Sequence, residues 1–68
     1  NSITLIVEED YDDGYSTREV ERKDFSNMGE LRSYLITEYK MPFEMASKDV
    51  DDLCWDDYTF NVEQEENN

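Results

Sequence analysis

The charge imbalance is the tightest constraint on what this chain can become. Nineteen acidic side chains stand against six basic ones in 68 residues, a net charge of −13, and carboxylates are rarely buried unless paired. Without a histidine, that charge hardly changes between about pH 6 and 8. Any fold must therefore place most of its surface under self-repulsion and draw its stability from a thin apolar core. A chain of this length forms one domain, with roughly 60% of its unfolded surface buried. Trp55, five tyrosines and three phenylalanines argue that it does fold, because acidic disordered segments are poor in aromatics. Residues 1–64 are read as one acidic domain and residues 65–68, which have no apolar anchor, as a flexible acidic tail.

The pattern along the chain predicts an α+β fold. Ile3, Leu5 and Val7 alternate with Thr4, Ile6 and Glu8, the period-two signature of a strand with one buried face. Asp13-Gly14 then supplies a hairpin turn. Residues 15–23 return as a mostly polar edge strand whose charges discourage pairing with other chains. Asn27 is placed to cap a helix, with Glu30 at the capping-box position, and Met28, Leu31, Leu35 and Tyr39 form one apolar stripe. Pro42 is read as the stop, since the residue before a proline is driven out of the helical region. Beyond it, Ser47 caps a short helix carrying Val50, Leu53 and Cys54, followed by a final strand through Tyr58, Phe60 and Val62. The competing reading makes residues 50–55 and 58–63 a hairpin across Asp56-Asp57. The architecture expected is thus ββα(α)β, an antiparallel sheet with one main helix packed on one face.

The charge is unevenly distributed. Residues 1–25 carry eight acids and three bases, residues 26–40 two of each, and residues 41–68 nine acids and one base. Two clusters result: Glu8, Glu9, Asp10, Asp12 and Asp13, then Asp49, Asp51, Asp52, Asp56 and Asp57. Same-face strand neighbours lie about 6.6 Å apart and helix-face neighbours about 5–6 Å apart, spacings comparable with those of successive nucleic-acid phosphates. Solubility of a small domain is secured by a net charge of about 2–8, so a basic partner is the simplest reason for the remainder. Trp55 and Tyr58, with Tyr11 and Tyr15, are interleaved with the acids and could anchor such a partner. The bland alternative is a solvated acidic face over an aromatic core. The same negative charge disfavours direct contact with nucleic acid or with anionic membrane, both of which attract Lys and Arg.

Catalysis is not expected. Without histidine, nucleophilic catalysis by a His-assisted Ser or Cys is excluded, and the chain is too short to add a substrate cleft around paired carboxylates. No cofactor or metal site is expected either. Placing Gly14 at the sixth position of a calcium-binding EF loop puts Tyr11 and Val20 where ligands are required. The lone cysteine, Cys54, permits neither an internal disulfide nor a thiolate cluster, which fits a reducing cytoplasm. Beside Trp55 and among aspartates it is read as a buried, inert thiol. The longest apolar run, around residues 3–7, is too short for a leader or a membrane span.

In size, acidity and lack of catalytic groups the chain resembles the small acidic inhibitors of phages and mobile elements: the DNA-mimic, antirestriction and anti-CRISPR proteins. The stretch Glu30-Leu31 through Met41-Pro42 to Asp51-Asp52-Leu53-Cys54-Trp55-Asp56 is similar to the barstar-type ribonuclease inhibitors in its order of helix, proline and acidic segment bearing Leu and Trp. The first resemblance implies occupation of the basic nucleic-acid site of a host nuclease, defence complex, nucleoid protein or polymerase, in the host cytoplasm. The second implies that Asp51, Asp52 and Asp56 enter a nuclease's basic cleft. The alternative is a structural or adaptor subunit that binds through a hydrophobic patch including Phe43, Met45 and Trp55, its acids serving solubility. With so thin a core, such a subunit would gain stability as a homodimer.

Overall fold

The alternating apolar residues near the start of the chain become the spine of a sheet. The computed structural model describes residues 2–11 and 14–64. In order, its elements are β1 (Ile3–Asp10), β2 (Thr17–Phe25), α1 (Met28–Glu38), α2 (Phe43–Ala46), β3 (Leu53–Trp55) and β4 (Tyr58–Gln64). The sheet is antiparallel throughout, with strand order β2-β1-β4-β3. Thus β1 lies inside, bonded to its sequence neighbour on one side and to the final strand on the other. Ile3, Leu5 and Val7 project from β1 onto the face covered by the helices, where they join Phe25, Leu31, Leu35, Met41, Ala46, Val50 and Phe60 in the core. Each large side chain fully buried there contributes about 1.5–3 kcal/mol over an exposed position.

Both outer strands are protected. Along β2 every residue but Glu21 and Phe25 is exposed, and the register shifts between Val7 and Glu8, so that Val20 is the extra residue of a bulge. Charge and bulge together blunt that edge. The opposite edge, β3, is only three residues long. The hairpin tip expected at Asp13-Gly14 lies partly outside the described residues. Within them, Gly14 adopts φ 76°, the Gly14 N–H donates to the Tyr11 carbonyl at 3.1 Å, and the Tyr11 N–H donates to the Ser16 carbonyl at 2.9 Å. The tail, residues 65–68, also lies outside them.

Helix α1 begins as its sequence predicts. Asn27 is extended and its Oδ1 accepts the Glu30 N–H at 2.9 Å, satisfying one of the free amides of the first turn. Leu31 and Leu35 are fully buried, with Met28 and Tyr39 packed beside them. The end differs from the expectation. Helix α1 stops at Glu38, and Lys40, at φ 59°, turns the chain so that the Met41 N–H donates to the Leu35 carbonyl at 3.3 Å. Pro42 instead occupies the N-cap of α2, where its missing N–H costs nothing.

The short helix expected over residues 47–55 is not formed, and the hairpin reading holds. The second helix is the single turn Phe43–Ala46, and Ser47 closes it as its C-cap. Leu53 and Trp55 pair with Phe60 and Tyr58 across the two-residue Asp56-Asp57 turn. Asp56 takes φ 57°, the left-handed conformation that hairpin turns of this length require and that Asp tolerates better than most residues. This alternation turns Leu53 and Trp55 to the core and Cys54 outward. The thiol is therefore exposed, not buried, and its Sγ lies 3.8 Å from Thr59 Oγ1. On the uncovered face of the sheet, Ile6 is only 8% exposed, flanked in register by Arg22 and Asn61, where alternation predicts solvent.

Candidate functional site

The acidic groups are distributed by the topology rather than by their order in the chain. The β1–β4 ladder pairs Glu8 with Thr59 and Glu9 with Tyr58, and the Asp10 N–H continues it by donating to the Asp57 carbonyl at 2.8 Å. This carries Glu8, Glu9 and Asp10 to the same end of the sheet as the Asp56-Asp57 turn. On the open face, the Glu8 carboxylate is held by Thr17 Oγ1 at 3.1 Å and Asn61 Nδ2 at 3.5 Å. Glu9 projects to the helix side and pairs with Arg18 at 3.3 Å, an exposed ion pair worth about 0–1 kcal/mol.

The second acidic cluster is split. Asp49 accepts the Asp51 N–H at 3.1 Å, and Asp51 Oδ1 accepts the Val62 N–H at 3.1 Å. These bonds fix Asp49, Asp51 and Asp52 beside the far part of β4. With Val62 four residues beyond Tyr58, that is about 13 Å along the strand from the Asp56-Asp57 turn. Asp12 and Asp13 lie outside the described residues. The aromatics also divide. The half-buried Trp55 donates its indole N–H to the Tyr39 carbonyl at 3.3 Å, which commits it to the core side. Tyr58 stands edge-on to Tyr39 at 5.2 Å, whereas Tyr11 and Tyr15 are 45% and 95% exposed near the hairpin tip.

Beside the acidic end, a cleft of about 400 Å³ opens between the bulged part of β2 and the last turns of α1. Tyr34, Tyr39 and Tyr58 form its aromatic wall, and Glu9, Glu21, Glu38 and Arg18 its charged lining. Glu21 is the organising group. The Tyr34 hydroxyl donates to its Oε2, and the Tyr39 hydroxyl to its Oε1 at 2.7 Å. The sequence concealed this site, since Glu21 looks like one more charge on a polar edge strand and Tyr39 like a core residue of the helical stripe.

No protein-family model, curated protein or solved structure matches this chain. The physical character of the cleft must therefore speak for itself. The Tyr34 phenol is pushed up to about 12, first by its bond to the Glu21 carboxylate, then by burial and by the nearby charges of Glu21 and Glu38. Tyr39 is raised further, first by burial and then by the same carboxylate. Across the sheet, the Arg22 guanidinium bonded to Glu19 holds that carboxyl below its usual value.

The folded phenols hold their protons more tightly than unfolded ones, so their contribution to stability is complete below about pH 10. It is lost as pH rises through the folded value, about 12 for Tyr34. Ultraviolet titration should resolve two late-ionising phenols, and Glu21→Gln should bring both down towards the ordinary tyrosine value. Superimposable titrations of parent and variant would show that Glu21 does not control these phenols.

Among the described residues, no three of the Cys, Asp and Glu side chains converge to hold a metal ion, and no helix is long and apolar enough to cross a membrane.

Proposed function

We propose that this protein is a non-catalytic inhibitor that presents the acidic end of its sheet to the basic nucleic-acid site of another protein, in place of nucleic acid. The observation that carries the reading is the convergence of Glu8, Glu9 and Asp10 with Asp56 and Asp57 on one rigid ladder end. Adjacent strands lie about 4.8 Å apart and same-face residues about 6.6 Å apart, so the ladder sets the spacing of the backbone positions that carry these carboxylates, Glu8 on the open face and Glu9 on the helix side. Carboxylates carried on an ordered ladder can accept charge-assisted hydrogen bonds from several Lys and Arg side chains without first ordering their backbone. The target is a nuclease, defence complex, nucleoid protein or polymerase of the kind that phage-encoded inhibitors block, and the encounter takes place in the cytoplasm. The protein itself, at −13, is repelled by nucleic acid and by anionic membrane.

The adaptor reading draws on Phe43, which is 69% exposed. Met45 and Trp55, its companions in that reading, are partly buried against the core. Of the three residues in that patch only Phe43 is exposed, a small basis for a hydrophobic interface.

The test is capture from a bacterial lysate on immobilised protein, followed by a salt gradient and by challenge with duplex DNA. The expected result is a basic protein that elutes early in the gradient and is displaced by DNA, because exposed charge pairs are screened within about 10 Å at 0.1 M salt. A captured protein retained at high salt and indifferent to saturating DNA would falsify the mimicry.

A further inference from the structure

The tyrosine-walled cleft has the chemistry of a cation receptor. With their O–H groups donated in hydrogen bonds to Glu21, the Tyr34 and Tyr39 hydroxyl oxygens offer only lone pairs to an incoming group. The carboxylates of Glu9, Glu21 and Glu38 likewise only accept. Three negative groups face one positive one, Arg18, which is mainly exposed and, among the described residues, pairs with Glu9 at 3.3 Å. The aromatic wall already attracts cations: Lys23 Nζ lies 5.5 Å from the Tyr34 ring centroid and 5.8 Å from that of Phe25. A residual negative charge, an acceptor-only lining and π faces are together complementary to a planar cation with several donors.

We propose that the cleft receives the guanidinium of an arginine side chain from the basic partner, seated against Tyr39 and Tyr58 with its N–H groups on Glu21 and Glu38. Guanidinium suits the lining better than ammonium. It carries five donors in a flat fork, it stacks on aromatic rings, and it is more weakly hydrated, so it gives up less on entering a confined space. The cleft opens beside Glu9 and Tyr58, both on the ladder end that bears the acidic surface. One arginine can then enter it while neighbouring basic residues meet Asp10, Asp56 and Asp57. The identity of the arginine's owner rests on the inhibitor reading; the receptor chemistry does not.

The experiment titrates the isotopically labelled full chain with blocked Gly-Arg-Gly, followed by nuclear magnetic resonance. The same peptide with citrulline, neutral and of nearly the same shape, and with lysine are the comparisons. Saturable shifts centred on Glu21, Tyr34 and Tyr39 are expected, with binding of the citrulline peptide weaker by at least about tenfold and of the lysine peptide by about threefold. Glu38→Gln, at an exposed helix position that leaves the core intact, should weaken the arginine peptide about threefold, and Glu30→Gln, in the first turn of the same helix, should leave it unchanged. Equal binding of the arginine and citrulline peptides overturns the proposal. So do shifts spread evenly over Asp49, Asp51 and Asp52 as well, the mark of simple screening.

The two ideas fail separately. A captured protein displaced by DNA and held equally well by parent, Glu21→Gln and Glu38→Gln would end the receptor and keep the acidic surface. Saturable arginine binding without any protein displaced by DNA would do the reverse.

Discussion

Replacing Asp10, Asp56 and Asp57 with asparagine is expected to weaken binding to the captured partner about a hundredfold, whereas the same change at Asp49, Asp51 and Asp52 should cost threefold or less. Both triple variants lower the net charge equally, from −13 to −10, so any nonspecific effect of charge is matched. The first set lies at the convergent end of the sheet and the second along the far part of β4, where an asparagine Oδ1 can still accept the backbone bonds that Asp49 and Asp51 take from the Asp51 and Val62 N–H groups. A charge-assisted hydrogen bond contributes about 1.5–3 kcal/mol when desolvated and less at an accessible rim. Three of them at about 1 kcal/mol each correspond to roughly a hundredfold in affinity. The folds should survive. Asparagine tolerates the left-handed conformation of Asp56 at φ 57°, and the Asp10–Asp57 bond is between backbone groups. Binding curves for the two variants that coincide with each other would sink the assignment of the surface to this end.

The largest effect on stability is expected from Phe60→Ala. Phe60 is fully buried on β4 between Val7 of β1 and Leu53 of β3, and its ring meets Tyr39 edge-on at 5.2 Å. Such truncations cost about 3–5 kcal/mol in lost burial and residual cavity. At about 0.05–0.15 kcal/mol per residue, a domain of this size has only about 3–10 kcal/mol in total. The variant should melt at least about 12 °C below the parent, since 1 kcal/mol moves a small domain's midpoint by about 4–8 °C, and much of it should be unfolded at room temperature. Phe43→Ala, at a position 69% exposed, should stay within about 0.5 kcal/mol of the parent. Thermal melts followed by near-ultraviolet circular dichroism separate the two. Equal midpoints for Phe60→Ala and the parent would mean that the Phe60 ring does not belong to the core.

What the sequence revealed about this fold came from runs long enough to establish a period. Ile3, Leu5 and Val7 defined β1 and its buried face, and Asn27 with Leu31 and Leu35 defined α1 and its capped start. The region after Pro42 resisted because β3 has only three residues. Val50, Leu53 and Cys54 repeat at intervals that a helix also satisfies, and Asp56 in a left-handed turn lacks the glycine that normally marks a hairpin. The error over Cys54 followed from that one, since a helix would have turned the thiol inward and the strand turns it out. The acidic clusters were visible as runs of sequence, but their regrouping was not. Nothing local in residues 8–10 announces that they lie beside residues 56–57, because that proximity is created by the β1–β4 register. The cleft was hidden for the same reason: Glu21, Tyr34 and Tyr39 come from different elements and meet only after α1 packs on the sheet.

Because β1 is hydrogen-bonded to β4, a nascent chain still lacking residues 58–64 leaves one side of its innermost strand open. Half of the anionic end is then waiting for its counterpart. Such a partial product carries most of the acids but does not bring residues 8–10 beside residues 56–57, so under the proposed inhibitor function competence to engage a target should arise abruptly with β4. Loops that must close over most of a chain also form slowly. Synthesis of the protein and completion of its sheet are thereby separated by a folding step, one that a stalled or prematurely terminated copy never completes.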